Sequence, residues 1–256
     1  MIAQLKGYIN QFLFSRKVPD TLSEAAYDLW AAEYDNQPDN LMLALDEQIF
    51  KVLLDGIDIE NKTVADMGCG TGRHWPKLFS QQPGKLTGYD VSGGMLDELK
   101  RKYPQADAVK LEGDLVPKLA TNSIDVIVST LTVAHIDNID EVVQAWVGAL
   151  KPKASVIITD FHPEALAMGG KRTFSVQNKK VSIRNNVHPV SMLITKLAAH
   201  GFSVAAMEER LVDESVKHYY EKKNALSVYD KFKGRPIIYG MCLTRTQDDT
   251  QQFAFN

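Results

Sequence analysis

The chain is poor in cysteine: two in 256 residues, Cys69 and Cys242, each within a run that reads as structured. That excludes a disulfide-stapled secreted scaffold and points to a reducing, intracellular setting, with the cytoplasm as the expected compartment. No apolar run reaches the roughly 18 residues that a membrane-spanning helix needs. The segment Met1–Phe14 is broken by Lys6, Asn10 and several glutamines and has no small-residue cleavage site, so it does not read as a signal peptide. Positive charge is not in surplus either: 29 Lys and Arg face 32 Asp and Glu, a net −3, which gives no general reason to expect nucleic acid as a partner. Repeats and low-complexity segments are absent. With 45% apolar and 24% charged residues, the length suits one globular domain, or one with an appendage.

Against these absences stands one dense motif. Val64 to Arg73 reads Val-Ala-Asp-Met-Gly-Cys-Gly-Thr-Gly-Arg. A short β-branched run ends in Asp66, and glycines follow at Gly68, Gly70 and Gly72, where the backbone can turn tightly and approach a ligand. Ligands of open α/β sheets bind at the carboxyl ends of strands, where Asp66 falls. Dinucleotide enzymes space their glycines as Gly-x-Gly-x-x-Gly to seat a pyrophosphate. Here the spacing is Asp-x-Gly-x-Gly-x-Gly, and an acid before the turn suits a ligand carrying an ammonium group.

Strand and helix patterns alternate after the motif, as in a parallel sheet covered by helices. Strands are expected at Thr63–Met67, Lys85–Asp90, Ala108–Glu112, Ile124–Ser129 and Ser155–Asp160, with helices over Gly94–Tyr103, Ile139–Leu150 and Ser191–Ala199. Two later strands, Phe202–Glu208 and Pro236–Arg245, are separated by a polar stretch without an obvious crossover helix and suggest an antiparallel pair at the sheet edge.

The motif and this order of elements resemble the class I S-adenosylmethionine (SAM)-dependent methyltransferases over roughly residues 34 to 245. The resemblance implies an α/β fold: a Rossmann-like, doubly wound, seven-stranded sheet, mostly parallel with an antiparallel last strand. An N-terminal helical lid would occupy residues 1–50 and the methyltransferase domain 51–246, with a β-hairpin insert at about 161–190 after strand five. It also implies SAM as cofactor. Asp66, Gly68, Gly70 and Gly72 would form the first cofactor motif. Asp90, 24 positions after Asp66, would take the ribose hydroxyls. Met95 would pack on the adenine, Asp114 would accept from its amino group, and Leu115 would donate its backbone N–H to a ring nitrogen. Tyr34 would close over the methionine end, which Ser129 would meet through its backbone. No metal site is expected.

Methyl transfer from a sulfonium needs an aligned acceptor and, for a protonated one, a base. Histidine is the natural base near neutral pH. Of the six histidines, His74, His200 and His218 read as structural or exposed. His162 follows the fifth strand at its carboxyl edge, His188 ends the insert, and His135 follows the fourth strand where the family's methyl-transfer cleft lies. Two of them reaching into one pocket would suit a phenol, enol or amine. The Asn/Asp-Pro-Pro-aromatic tetrad of amino-group methylation in nucleic acid is replaced by Thr130-Leu-Thr-Val.

Charge is divided along the chain. Val18 to Phe50 holds eight acids and no Lys or Arg; Ala165 to Met207 holds six bases and no acid. Thr173 to Ile183 alternates with period two, a β-hairpin pattern about Asn178-Lys179. We expect the acidic arm to close on the basic hairpin over the acceptor, with Arg172, Arg184 or a lysine available to an anionic group. The resulting expectation is a methyltransferase of a small-molecule acceptor, releasing S-adenosylhomocysteine (SAH). Methylation of a protein or RNA, a SAM-binding scaffold without catalysis, and a nicotinamide oxidoreductase are the competing readings.

Overall fold

The computed structural model describes residues 20–112, 118–176 and 179–246. The main sheet has seven strands: β2 (Thr63–Met67), β3 (Lys85–Asp90), β4 (Asp107–Lys110), β5 (Ile124–Thr130), β6 (Leu150–Phe161), β9 (Phe202–Leu211) and β10 (Pro236–Arg245). Their order across the sheet is β4-β3-β2-β5-β6-β10-β9. Strands β2 to β6 are parallel, whereas β10 runs antiparallel to both neighbours, β6 and β9. From β2 the chain winds outward through β3 and β4, then returns to start again at β5. The reversal leaves a crevice at the carboxyl ends of β2 and β5, where open α/β sheets bind ligands.

Period-two alternation along the strands divides the core into two layers. Val64, Val126, Val128 and Ile157 point to the face covered by α2 (Leu41–Asp55) and α3 (Trp75–Ser80). Ala65, Met67, Ile127, Val156 and Ile158 point to the other, covered by α5 (Ile139–Ala149) and α7 (Val190–Ala198). Both faces are buried, which is why β5 reads as a nearly unbroken β-branched run. Helix α4 (Gly93–Lys102) starts where Ser92 Oγ accepts from Met95 N, and α5 where Asn138 Oδ1 accepts from Glu141 N.

A second, three-stranded sheet has the order β1-β8-β7, with β1 (Asp20–Thr21), β7 (Thr173–Val176) and β8 (Lys179–Ile183). The hairpin expected around Thr173–Ile183 is therefore present, its two turn residues lying outside the described ones. The N-terminal segment adds β1 to it in parallel and continues into α1 (Ser23–Trp30). Trp30, Phe174, Ile183 and Met95 make a small core between this sheet and α4. Helix α2 spans the boundary expected after Phe50 and buries Leu45, Ile49 and Phe50 with the main core.

Three expectations need adjusting. The fifth strand, expected to begin at Ser155, starts at Leu150 directly after α5, because Pro152 occurs where the pairing with β5 is irregular and costs no ladder bond. The third strand is Asp107–Lys110 instead of Ala108–Glu112. The link between the last two strands is not irregular: it holds α8 (Lys217–Lys222) and α9 (Leu226–Phe232). Among the described residues no helix is long and apolar enough to cross a membrane.

Candidate cofactor and acceptor site

The glycine loop leaves β2 and is fastened to β3: the N–H groups of Gly68 and Cys69 both donate to Tyr89 O, at 2.7 and 3.1 Å. Gly68 (φ +75°) has no room for a side chain, since a Cβ would lie 2.0 Å from Thr132 Oγ1. Gly70 (φ +54°) is the opposite case: its Cβ would meet nothing within 4 Å, so the backbone there is bare to the cavity it lines. Gly72 packs under Leu99, serves the loop's shape and does not line the cavity. Gly68→Ala should cost about 1–3 kcal/mol in backbone strain, with the clash in addition. Gly70→Ala should cost the strain alone and yet block a ligand. Thermal unfolding together with SAH titration of the two variants would separate the effects; equal melting temperatures would contradict this account.

Asp90 ends β3. Its Oδ2 accepts from Gly70 N and its Oδ1 from Ser92 N, both at 2.8 Å. Burial pushes this carboxyl up to about 6 against the pull of those backbone N–H groups. Asp66 is more enclosed: Oδ2 accepts from Trp75 Nε1 at 2.9 Å, while Oδ1 is buried without a partner. Burial raises Asp66 to about 7, partly offset by the Trp75 hydrogen bond. The acidic arm is tied to both loops. Asp28 Oδ1 accepts from Ser92 Oγ (2.6 Å) and Gly94 N (2.9 Å), and Asp35 Oδ1 accepts from Thr71 Oγ1 (2.7 Å).

These elements surround a cavity that opens to solvent. Asp90, Met95, Gly68, Gly70 and Tyr34 line it, alongside Thr130 to Thr132 at the end of β5. Leu131 adopts φ +54°, a conformation that a leucine reaches only when its surroundings impose it. Its N–H donates to Thr159 O (2.7 Å) and its carbonyl accepts from Arg172 Nη1 (3.0 Å). The bare glycine backbone, the buried Asp90 and the apolar wall fit a cationic nucleoside such as SAM, whereas Asp66 does not itself line the cavity.

His135 lines the same cavity, half-buried, and it is paired. Its Nδ1 lies 3.1 Å from the carbonyl of Arg184, which can only accept, so the proton sits on Nδ1. Its Nε2, 2.9 Å from Tyr27 Oη, is then left to accept from that hydroxyl. Burial, reinforced by Arg172, pulls His135 down to about 3, so the ring is neutral at physiological pH. Burial also pushes the Tyr27 phenol upward.

The other candidates are placed differently. His162 does not line this cavity. It caps the short helix α6 (Pro163–Ala167), its Nδ1 accepting from Glu164 N at 3.3 Å, and its Nε2 faces Glu209 Oε1 at 3.3 Å. His188 donates from Nε2 to Ile136 O (2.8 Å) and props the backbone next to His135 without lining the cavity. Ser129 is fully buried, its Oγ unpartnered; its neighbour Thr130 lines the cavity in its place. Asp114 and Leu115 lie outside the described residues. Among the described residues no group of three His, Cys, Asp or Glu could hold a metal.

The charge division resolves into several separate contacts. Asp20 Oδ1 accepts from Lys171 Nζ (2.6 Å) and Ser182 Oγ (2.7 Å), joining arm to insert as expected. Arg184 instead pairs with Asp137 at 3.0 Å. Asp46 turns inward, bonded to Arg73 and Thr159 and 2.8 Å from His74 Nε2. Burial would raise its carboxyl, but Arg73 and His74 outweigh burial and hold it far below the usual range. Burial and Arg73 bring His74 down to about 4, leaving it a neutral donor.

The sheet order, the crevice and its glycine loop define a Rossmann-like binder of a nucleoside cofactor. A family model described as a methyltransferase domain matches residues 65–158. An uncharacterized methyltransferase of Emericella nidulans is 24% identical, aligned over 75% of this chain and 81% of its own. Another, of Schizosaccharomyces pombe, is 31% identical over 68 residues; that match spans 27% of each chain, so only about a quarter of that relative is represented. A SAM-dependent methyltransferase of Listeria monocytogenes shares the fold with a TM-score of 0.60, at 22% identity, over 79% of this chain and 98% of its own. Residues 65–158 thus carry a methyltransferase-domain sequence, and the chain shares the fold of SAM-dependent methyltransferases.

Proposed function

We propose that this chain transfers a methyl group from SAM to an oxygen, nitrogen or carbon nucleophile of a small molecule, leaving SAH. One observation carries the reading: a single cavity is lined both by Asp90 with the Gly68–Gly70 loop and by the Tyr27–His135 pair. Asp90 and Asp66 would hold the cofactor's ribose and ammonium groups, with Met95 and Tyr34 packing on its flanks. SAM supplies an activated methyl whose departure as a thioether needs no acid. What remains for the protein is to align the acceptor, exclude water and hold a proton. The Tyr27 hydroxyl gives its own proton to His135 Nε2, so its oxygen lone pairs are free to accept an O–H or N–H of the acceptor. Burial and Arg172 disfavour a charged His135, so the ring holds the Tyr27 hydroxyl in place and that hydroxyl aligns the nucleophile. Residues 1–50 and the insert of about 161–190 act in this reading as the lid and the specificity element.

Calorimetric titration with SAM and SAH tests the cofactor half; a folded protein that binds neither would overturn it. Phenolic, amine and carboxylate acceptors can then be screened by SAH release. Tyr27→Phe should lower kcat by roughly tenfold, as loss of one hydrogen bond to the acceptor does, with SAH affinity within about twofold of wild type. A parallel loss of affinity would move Tyr27 from the chemistry to cofactor binding.

A further inference from the structure

An open groove of about 610 Å³ runs between the β7–β8 hairpin, the loop after α6 and helices α8 and α9. Arg172, Trp30, Lys180, Lys223, Tyr219 and Phe232 are among the residues that line it. Two of these side chains carry a buried donor with no acceptor: Arg172 Nη2 and Trp30 Nε1. They belong together, since the guanidinium lies 6.0 Å from the indole centroid and the indole is held flat on Phe174, 4.4 Å away at 2°. A buried donor without an acceptor is unfavourable, so two at one place call for an acceptor from outside. The surrounding charge agrees. Lys171 and Lys222 are paired with Asp20 and Asp39, but among the described residues no carboxylate lies within ion-pair distance of Lys180 or Lys223.

We propose that this groove binds the anionic group, phosphate or carboxylate, of an acceptor whose body is a ring or apolar chain. The link to the acceptor rests on the methyltransferase reading; the anion site itself does not. Arg172 belongs to both places. Its Nη1 holds the carbonyl of Leu131, a cavity residue, and its guanidinium lies 5.7 Å from the Tyr27 ring centroid. An anion on Nη2 and Trp30 Nε1 is therefore one side chain away from the Tyr27 hydroxyl, and Tyr219 and Phe232 offer aromatic surface to the rest of the molecule. Arg172 thus selects by charge which molecules bring a nucleophile to Tyr27.

The test is titration of the full chain, with and without saturating SAH, by phenyl phosphate, benzoate and neutral phenol, followed by ligand-observed NMR. Phenyl phosphate or benzoate should bind at least roughly tenfold more tightly than phenol, the factor expected from one charge-assisted contact. Whichever anion binds better identifies the group. Arg172→Gln should weaken the anion by about tenfold or more, and Trp30→Phe, which keeps a ring and deletes the donor, by a few-fold. If Arg172→Gln does not fold, Trp30→Phe and the double variant Lys180→Ala, Lys223→Ala decide; the lysine pair should weaken the anion while SAH affinity holds. Equal binding of phenol, or anion binding unchanged in the variants, overturns the proposal. Failure of SAH alone to bind overturns the methyltransferase reading and leaves the anion arm readable by itself.

Discussion

Asp46→Ala should lower the unfolding free energy by about 3–5 kcal/mol, the usual result of removing one partner of a buried ion pair. For a domain of this size that corresponds to a melting temperature lower by roughly 6–20 °C. Asp46 is fully buried and satisfies three groups at once: the Arg73 guanidinium from the glycine loop, His74 Nε2 and Thr159 Oγ1 on β6. Without it Arg73 keeps Glu47, at 3.2 Å, and Tyr34 as partners. The sign with pH follows from the depressed carboxyl. Its contribution is complete above the ordinary carboxylate value of 3.8 and is lost only as pH falls well below it. The gap between wild type and variant should therefore be constant from pH 5 to 8 and narrow in strong acid. Denaturant unfolding at several pH values measures it, and a gap that opened between pH 6 and 7 would mean that His74, not Asp46, carries the charge.

Asp46 also marks a limit of reading the sequence. It sits in a run of eight acids without a base, and such runs are ordinarily solvated; its partners Arg73, His74 and Thr159 lie 27, 28 and 113 positions away. The same distance hid Tyr27, whose tie to His135 spans 108 positions. The cofactor half was legible because its chemistry is local: strand, acid and glycines in one decapeptide, then an acid at the next strand end. Strand alternation was legible for a similar reason, since both faces of β5 must be apolar. His162 follows a strand's carboxyl end without lining the cavity. A residue there can instead begin a helix, and Pro163 at the first helical position with Glu164 behind it was the available signal.

Asp90→Ala should weaken SAH binding by roughly 100-fold or more. Hydrogen bonds to a charged group contribute about 1.5–3 kcal/mol each, and about 1.4 kcal/mol is a factor of ten. The variant loses the ribose acceptor and also the anchor of Gly70 N and Ser92 N, so the loop that cradles the ligand loosens with it. Asp90→Asn separates the two effects, since its amide oxygen can still accept from one backbone N–H while the charge is gone. In the unliganded protein burial holds Asp90 at about 6 and Asp66 at about 7. Both therefore retain protons under mild acid that a hydroxyl-donating, ammonium-bearing ligand must displace. Affinity should rise from pH 5 to 8, with protons released on binding, and Asp90→Asn should flatten the lower part of that profile. The linked effect on the empty protein has the opposite sign: carboxyls raised above 3.8 contribute stability in acid that is lost as pH climbs through 6 and 7. Saturating SAH should cancel that loss. Calorimetry in two buffers of different ionisation heat counts the protons directly, and a wild-type affinity that is flat across this range would mean that neither carboxylate faces the ligand.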